Sequence, residues 1–240
     1  AIQSQYPPGS TFKIISAIAA LEEGLITDDT SFNCSGSINF GRRFRCWREK
    51  GHGNNIDIYR AIVESCDVYF YEIGKRISID KLAKYASDFG LGRPSGIELE
   101  GERSGTVPTT EWKLKTKKEK WYKGETLNAV IGQGYVTATP IQMARLVSAA
   151  VNGGKLYRPH IFKDFFFENN TEKRLNLRPE NIHLLKKALA GVVADGGGTG
   201  RRAHSNLVSI GGKTGTSQVI AMPEKRSANE PTSVFPRMLL

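Results

Sequence analysis

No run of about 18 apolar residues occurs anywhere in the 240-residue sequence, so it offers no candidate membrane-spanning helix. The stretch after Ala1 also lacks the basic-then-apolar order of a secretion signal, and any membrane anchor is expected outside this chain. Acidic residues are in deficit, 24 Asp and Glu against 34 Lys and Arg, for a formal net charge of +10. That balance suits nucleic acid, an anionic membrane surface or an acidic polymer, yet charge alone specifies neither fold nor chemistry. Cysteine is scarce: three in all, Cys34, Cys46 and Cys66, confined to 33 positions. The glycines at 132 and 134 are not followed by G-K-[ST] at Walker spacing, which excludes a phosphate loop. What is present, 39% hydrophobic and 24% charged residues, is ordinary for a globular protein of one large or two small domains.

The most informative stretch is Tyr6-Pro7-Pro8-Gly9-Ser10-Thr11-Phe12-Lys13. Pro and Gly break regular structure up to position 9, after which Ile14, Ile15, Ala17, Ile18 and Leu21 recur at helical spacing until Gly24. Ser10 then stands at a helix start with Lys13 on the same face, a nucleophile beside a base with the dipole's positive end behind it. Taken alone, such a motif is more often a cap, Ser10, and a solvated first-turn side chain, Lys13.

Residues 25–57 have little helical periodicity and many Gly, Ser and Asn, predicting a loop-rich excursion with a short hairpin around Gly36 and Gly41. His52 lies between the second and third cysteines. Cys34, Cys46, His52 and Cys66 make a complete tetrahedral zinc set, the alternatives being one disulfide with a leftover thiol or three unconnected buried cysteines.

Helices are predicted from Ile58 to near Ser65, from Val68 to near Gly74 and from Ile79 to Phe89, with Ser65-Cys66-Asp67 at a junction. The lysine-rich segment from Trp112 to Gly124 is read as a solvated loop, not a nucleic-acid grip, because no helical stripe or nucleic-acid signature surrounds it. Thr139, Pro140 and Gln142 form a capping box opening a helix that stops at Gly153-Gly154. Two β stretches around Asn169-Asn170 are expected between His160 and Leu177. A helix from Pro179 to Val193 and a strand over Leu207 to Val219 carrying Lys213-Thr214-Gly215-Thr216 follow. Residues 222–240 show no period-2 pattern and are read as a polar tail.

Ser10-x-x-Lys13, Ser65-Cys66-Asp67 and Lys213-Thr214-Gly215 recur in the order of the S-x-x-K, S-D-N and K-T-G set of penicillin-binding proteins and serine β-lactamases. With Gly132-Gln133-Gly134-Tyr135 and Thr137-Ala138-Thr139-Pro140-Ile141-Gln142, they closely resemble the transpeptidase domain of class B penicillin-binding proteins. Glu111-Trp112-Lys113, Trp121-Tyr122-Lys123-Gly124 and Trp47 through Gly51-His52-Gly53 resemble the elongation type, penicillin-binding protein 2.

The resemblance implies an α+β transpeptidase fold, here mostly its helical part plus the K-T-G strand, with the rest of the sheet missing. It divides the chain into a partial domain over 1–219, with the zinc-binding excursion at 33–66, and a tail over 220–240. It implies a peptidoglycan D,D-transpeptidase acylated by β-lactams, in which Ser10 attacks, Lys13 takes its proton and Ser65 relays one to the leaving group. Lys213, Thr214 and Thr216, with Gly215 in the same strand, would hold the substrate carboxylate, and the N–H groups of Ser10 and Thr216 the oxyanion. Asp67 stands where many relatives have Asn and opposes deprotonation of Lys13, which the charge of Lys213 is expected to offset. The implied partners are stem peptides and membrane proteins of cell-wall elongation, not nucleic acid, at the periplasmic face of the inner membrane. No catalytic cofactor is implied, and some members hold a structural zinc beside the second motif. A β-lactamase or β-lactam sensor of the same fold, or a non-catalytic scaffold, remains the alternative.

Overall fold

A computed structural model describes residues 1–162 and 170–217, together with the backbone of 237–239. Its centre is helix α1 (Lys13–Glu22), preceded by a 3-10 turn over Gly9–Phe12. Every residue of α1 from Lys13 to Leu21 is buried, so this helix has no solvent face and the other elements pack around it. The excursion carries four short strands, β1 (Phe32–Cys34), β2 (Ser37–Phe40), β3 (Arg42–Arg45) and β4 (Gly53–Ile56). β2 and β3 are the expected hairpin, turning at Gly41, and β1 pairs antiparallel with β4.

Helix α2 (Ile58–Val63) starts where the Asp57 carboxylate accepts from Arg60 N at 2.7 Å. After a three-residue break α3 (Asp67–Arg76) begins, and it passes Gly74 to end at Arg76. The Ser78 hydroxyl opens α4 (Ile79–Asp88). The lysine-rich segment read as a loop is instead α5 (Thr110–Lys117) followed by α6 (Lys123–Ala129). The helical stripe was hidden because its buried residue is Lys113, whose ammonium sits 2.6 and 2.7 Å from the two Glu125 oxygens. An apolar-periodicity argument has no place for a buried lysine.

The capping box opens α7 (Pro140–Val151) as expected, with Thr139 N donating to Gln142 Oε1 at 2.8 Å. Of the two β stretches expected after His160, residues 163–169 lie outside the described residues. The observed pair is β5 (Lys155–Tyr157), upstream of the expected start, with β6 (Thr171–Arg174). Helix α8 (Pro179–Ala194) packs on α1, α2 and α7. The strand expected over Leu207 to Val219 is only β7 (Thr214–Thr216). Residues 207–213 have no regular structure, and those after 217 lie outside the described residues except for β8 (Arg237–Leu239). β8 pairs antiparallel with β7, a three-residue strand too short for a period-2 pattern to announce. Among the described residues the strands therefore form four two-stranded ribbons. No helix among the described residues is long and apolar enough to cross a membrane.

Candidate active site and metal centre

Ser10 lies in the 3-10 turn, not in the α-helix proper, and Lys13 is the first residue of α1. In a 3-10 turn side chains three apart eclipse, so the change of helix type keeps the pair on one side. The Lys13 ammonium is fully buried and donates to Asp67 Oδ1 at 2.6 Å, to Ser65 O at 2.8 Å and to Ser65 Oγ at 3.2 Å. Ser10 is not among those three partners. The Ser65 hydroxyl also lies 2.8 Å from Lys213 Nζ, so it sits between two buried lysines. Burial foremost, and then the adjacent Lys13 charge, hold the Lys213 amine well below the ordinary lysine value, against the pull of Asp67.

Two features fix Ser65 and Asp67. Ser65 has φ +55, left-handed backbone that a non-glycine residue seldom adopts, in the break between α2 and α3. Trp47 clamps that break: its indole donates to Ser65 O at 3.0 Å and its backbone N–H to Asp67 Oδ2 at 2.9 Å. Both Asp67 oxygens are thus engaged, one by Lys13 and one by Trp47.

β7 closes the other side. Its Thr216 carbonyl lies where a Cβ on Gly9 would come within 2.5 Å of it, so only glycine admits the strand beside the serine turn. Thr214 is half-buried, with its hydroxyl 2.8 Å from that of Thr199; Gly215 is buried, and Thr216 is exposed. The structure thus brings the Ser10 turn, Lys13, Ser65, Asp67, Lys213 and the Thr214–Thr216 strand together. The Ser65 hydroxyl, hydrogen-bonded to both amines, can relay a proton between Lys13 and Lys213.

Immediately behind Ser65 and Asp67, the donor atoms of Cys34, Cys46, His52 and Cys66 all lie within 4.8 Å of one another, and all four residues are buried. All three thiols are free, so the disulfide alternative does not describe this arrangement. His52 Nδ1 is 3.4 Å from Cys34 Sγ and 3.6 Å from Cys46 Sγ, while Nε2 is 3.2 Å from the Glu64 carbonyl oxygen. A proton on Nε2 donated to that carbonyl leaves the Nδ1 lone pair facing the thiols, the tautomer a metal ligand needs. The approach of β1 to this loop depends on Gly51, where a Cβ would stand 1.9 Å from Cys34 O. Hydrogen bonding from Cys66 holds the Cys34 thiol down to about 6, and Cys46 lower still, while pushing Cys66 itself up. Burial works against a charged His52, but its bonds to Cys46 and Cys34 raise it to about 9. Three thiols and an imidazole gathered this closely fit a single cation in a closed, four-donor site.

The family model for the penicillin binding protein transpeptidase domain matches residues 1–235. The chain belongs to this family. Within it, the curated peptidoglycan D,D-transpeptidase MrdA of Haemophilus influenzae is 38% identical over 95% of the chain. Among solved penicillin-binding proteins, PBP2 of Pseudomonas aeruginosa superposes with a TM-score of 0.85 at 36% identity over 91% of the chain and 51% of its own. PBP2 of Helicobacter pylori, solved in complex with MreC, gives 0.82 at 35% identity over 91% of the chain and 41% of its own. The transpeptidase fold and the elongation-type likeness expected from the motifs are thereby met. The chain spans 37% of the length of the Haemophilus protein.

Two residues that shape this site had no structural role in the sequence reading, where Trp47 served only as part of a family likeness and Thr199 was not singled out. Trp47 acts partly through its backbone amide, which no side-chain pattern reveals. Thr199 is hidden in the glycine cluster that ends α8, where composition signals only a helix stop.

Proposed function

We propose that this chain is the acyl-transfer part of a peptidoglycan D,D-transpeptidase of the elongation type. The observation that carries the reading is the buried Lys13–Ser65–Lys213 chain beside the Ser10 turn. In this reading Lys13 passes a proton through Ser65 to Lys213 and then takes the Ser10 proton as Ser10 Oγ attacks the D-alanyl-D-alanine carbonyl. The C–N bond breaks, and the departing D-alanine amine receives its proton by way of Ser65. An amine of a second stem peptide then attacks the ester and releases Ser10. Asp67 holds Lys13 in place, and Lys213, Thr214 and Thr216 receive the substrate carboxylate, while the Ser10 and Thr216 N–H groups stabilise the oxyanion.

Cys34, Cys46, His52 and Cys66 would hold zinc, which leaves no open coordination position and so serves structure rather than chemistry. The relatives' names and the MreC complex of the Helicobacter protein support a role in peptidoglycan synthesis alongside other proteins, which we place at the periplasmic face of the inner membrane. The test is covalent labelling: a fluorescent penicillin should attach to Ser10 of the wild-type chain and not to Ser10→Ala. Labelling that survives the substitution removes the reading.

A further inference from the structure

The β2–β3 ribbon carries a feature that acyl transfer does not use. β3 reads Arg42-Arg43-Phe44-Arg45, and strand alternation puts Arg43 and Arg45 on one face and Arg42 and Phe44 on the other. The cross-strand partners of Arg43 and Arg45 are Asn39 and Ser37, so the outer face holds two guanidinium groups, two neutral polar side chains and no carboxylate. All three arginines are exposed, and none takes part in an ion pair among the described residues. Arg43 is held in place nonetheless, its Nε donating to Ser37 Oγ at 3.0 Å. Arg42, on the inner face, lies 4.6 Å from the Phe44 ring centre and donates to Asn128 Oδ1 at 3.3 Å.

Both ends of the ribbon are linked by hydrogen bonds, through intervening residues, to the candidate site. Asn128 O accepts from Gln133 N at 3.0 Å, and the neighbouring Gly132 O accepts from Gly9 N at 2.9 Å, one residue from Ser10. At the other end β3 continues through Cys46 to Trp47, whose amide holds Asp67. We infer that the outer face of the ribbon is a binding edge for the interior carboxylates of an extended stem peptide, a reading that rests on the transpeptidase function proposed above. Arg45 and Arg43 stand about 7 Å apart at the strand's rise of about 3.4 Å per residue. An extended acidic peptide repeats its same-face side chains at that spacing, and the guanidinium fork pairs a carboxylate through two hydrogen bonds. The paired outer face carries no apolar side chain to insert into a bilayer.

The test compares the wild-type chain with R43Q/R45Q and R43K/R45K. The probes are soluble stem peptides ending in D-alanyl-D-alanine, with interior carboxylates either free or amidated. We expect R43Q/R45Q to bind the free-acid peptide roughly tenfold more weakly, equivalent to about 1.4 kcal/mol. R43K/R45K should keep most of the affinity, and all three proteins should bind the amidated peptide alike. Equal binding of the free-acid peptide by wild type and R43Q/R45Q overturns the proposal. So does a loss confined to phosphatidylglycerol vesicles, which would assign the face to a membrane. Penicillin acylation measured in parallel separates the two readings. If it fails in the wild-type chain, the transpeptidase function falls whatever the peptides do; if it is normal in R43Q/R45Q while free-acid binding is unchanged, the ribbon proposal alone falls.

Discussion

At the scale of single residues, the feature that most constrains the chemistry is a lysine buried without its own carboxylate. Lys13 has Asp67 at 2.6 Å, whereas Lys213 Nζ is hydrogen-bonded to Ser65 Oγ and to the Thr214 carbonyl. Burial and the Lys13 charge therefore depress Lys213, and the sign of the resulting pH effect is fixed. Between the depressed folded value and the ordinary value of about 10.4, the unfolded chain binds a proton that the folded chain does not, so stability rises with pH. Lys213→Met should be more stable than wild type at neutral pH, with the gap closing by at most about 1.4 kcal/mol per pH unit through that alkaline window. Denaturant titrations of both proteins at several pH values check this; a gap that does not change with pH would mean Lys213 titrates alike in both states. The three lysine and serine motifs were legible because each is a short, ordered signature. The roles of their neighbours were not, since Trp47 acts through main-chain geometry and Ser65 through a left-handed turn that its residue type does not advertise.

At the scale of elements, β7 is positioned from behind by the turn that follows α8. Thr199 N donates to Val63 O at 3.3 Å, which fixes the turn against the end of α2, and the Thr199 hydroxyl meets that of Thr214 at 2.8 Å. In the proposed transpeptidase the substrate carboxylate can only accept, so Thr214 would donate to it and would then accept from Thr199. Thr199→Val keeps the shape and removes that donor; loss of about 1 kcal/mol should lower penicillin acylation roughly fivefold. The loss should fall on the apparent affinity, and Thr199→Ser should restore it. Acylation rates measured across penicillin concentrations decide, and an unchanged Thr199→Val or an unrescued Thr199→Ser would sink the assignment. The helices whose apolar residues recur cleanly, α4, α7 and α8, were legible to within a residue or two. α5 was not, because Lys113 replaces the apolar residue that would have marked its inner face, and β7 and β8 are too short for alternation to register.

At the scale of the whole molecule, the excursion and the active site are joined where Cys66 separates Ser65 from Asp67. The excursion's strands are three or four residues long and lie in two-stranded ribbons, a form marginally stable by itself in water. It is tied to the site by the four donors, by Asp67 N donating to Cys46 Sγ at 3.3 Å and by the Trp47 clamp. Structural zinc sites are worth about 10–16 kcal/mol in isolated fingers, and here part of that value would hold the excursion against α3. Metal analysis of the purified chain should therefore give about one zinc per molecule. Chelation should lower the thermal midpoint and abolish penicillin acylation together, with zinc restoring both. Cys66→Ser should lose metal and acylation, whereas a change confined to the outer ribbon, such as R43K/R45K, should lose neither. The opposite outcome is equally concrete: a metal-free chain with Cys34 disulfide-bonded to Cys46 and normal acylation would show that the thiols pair, and that the junction stands without a cation behind it.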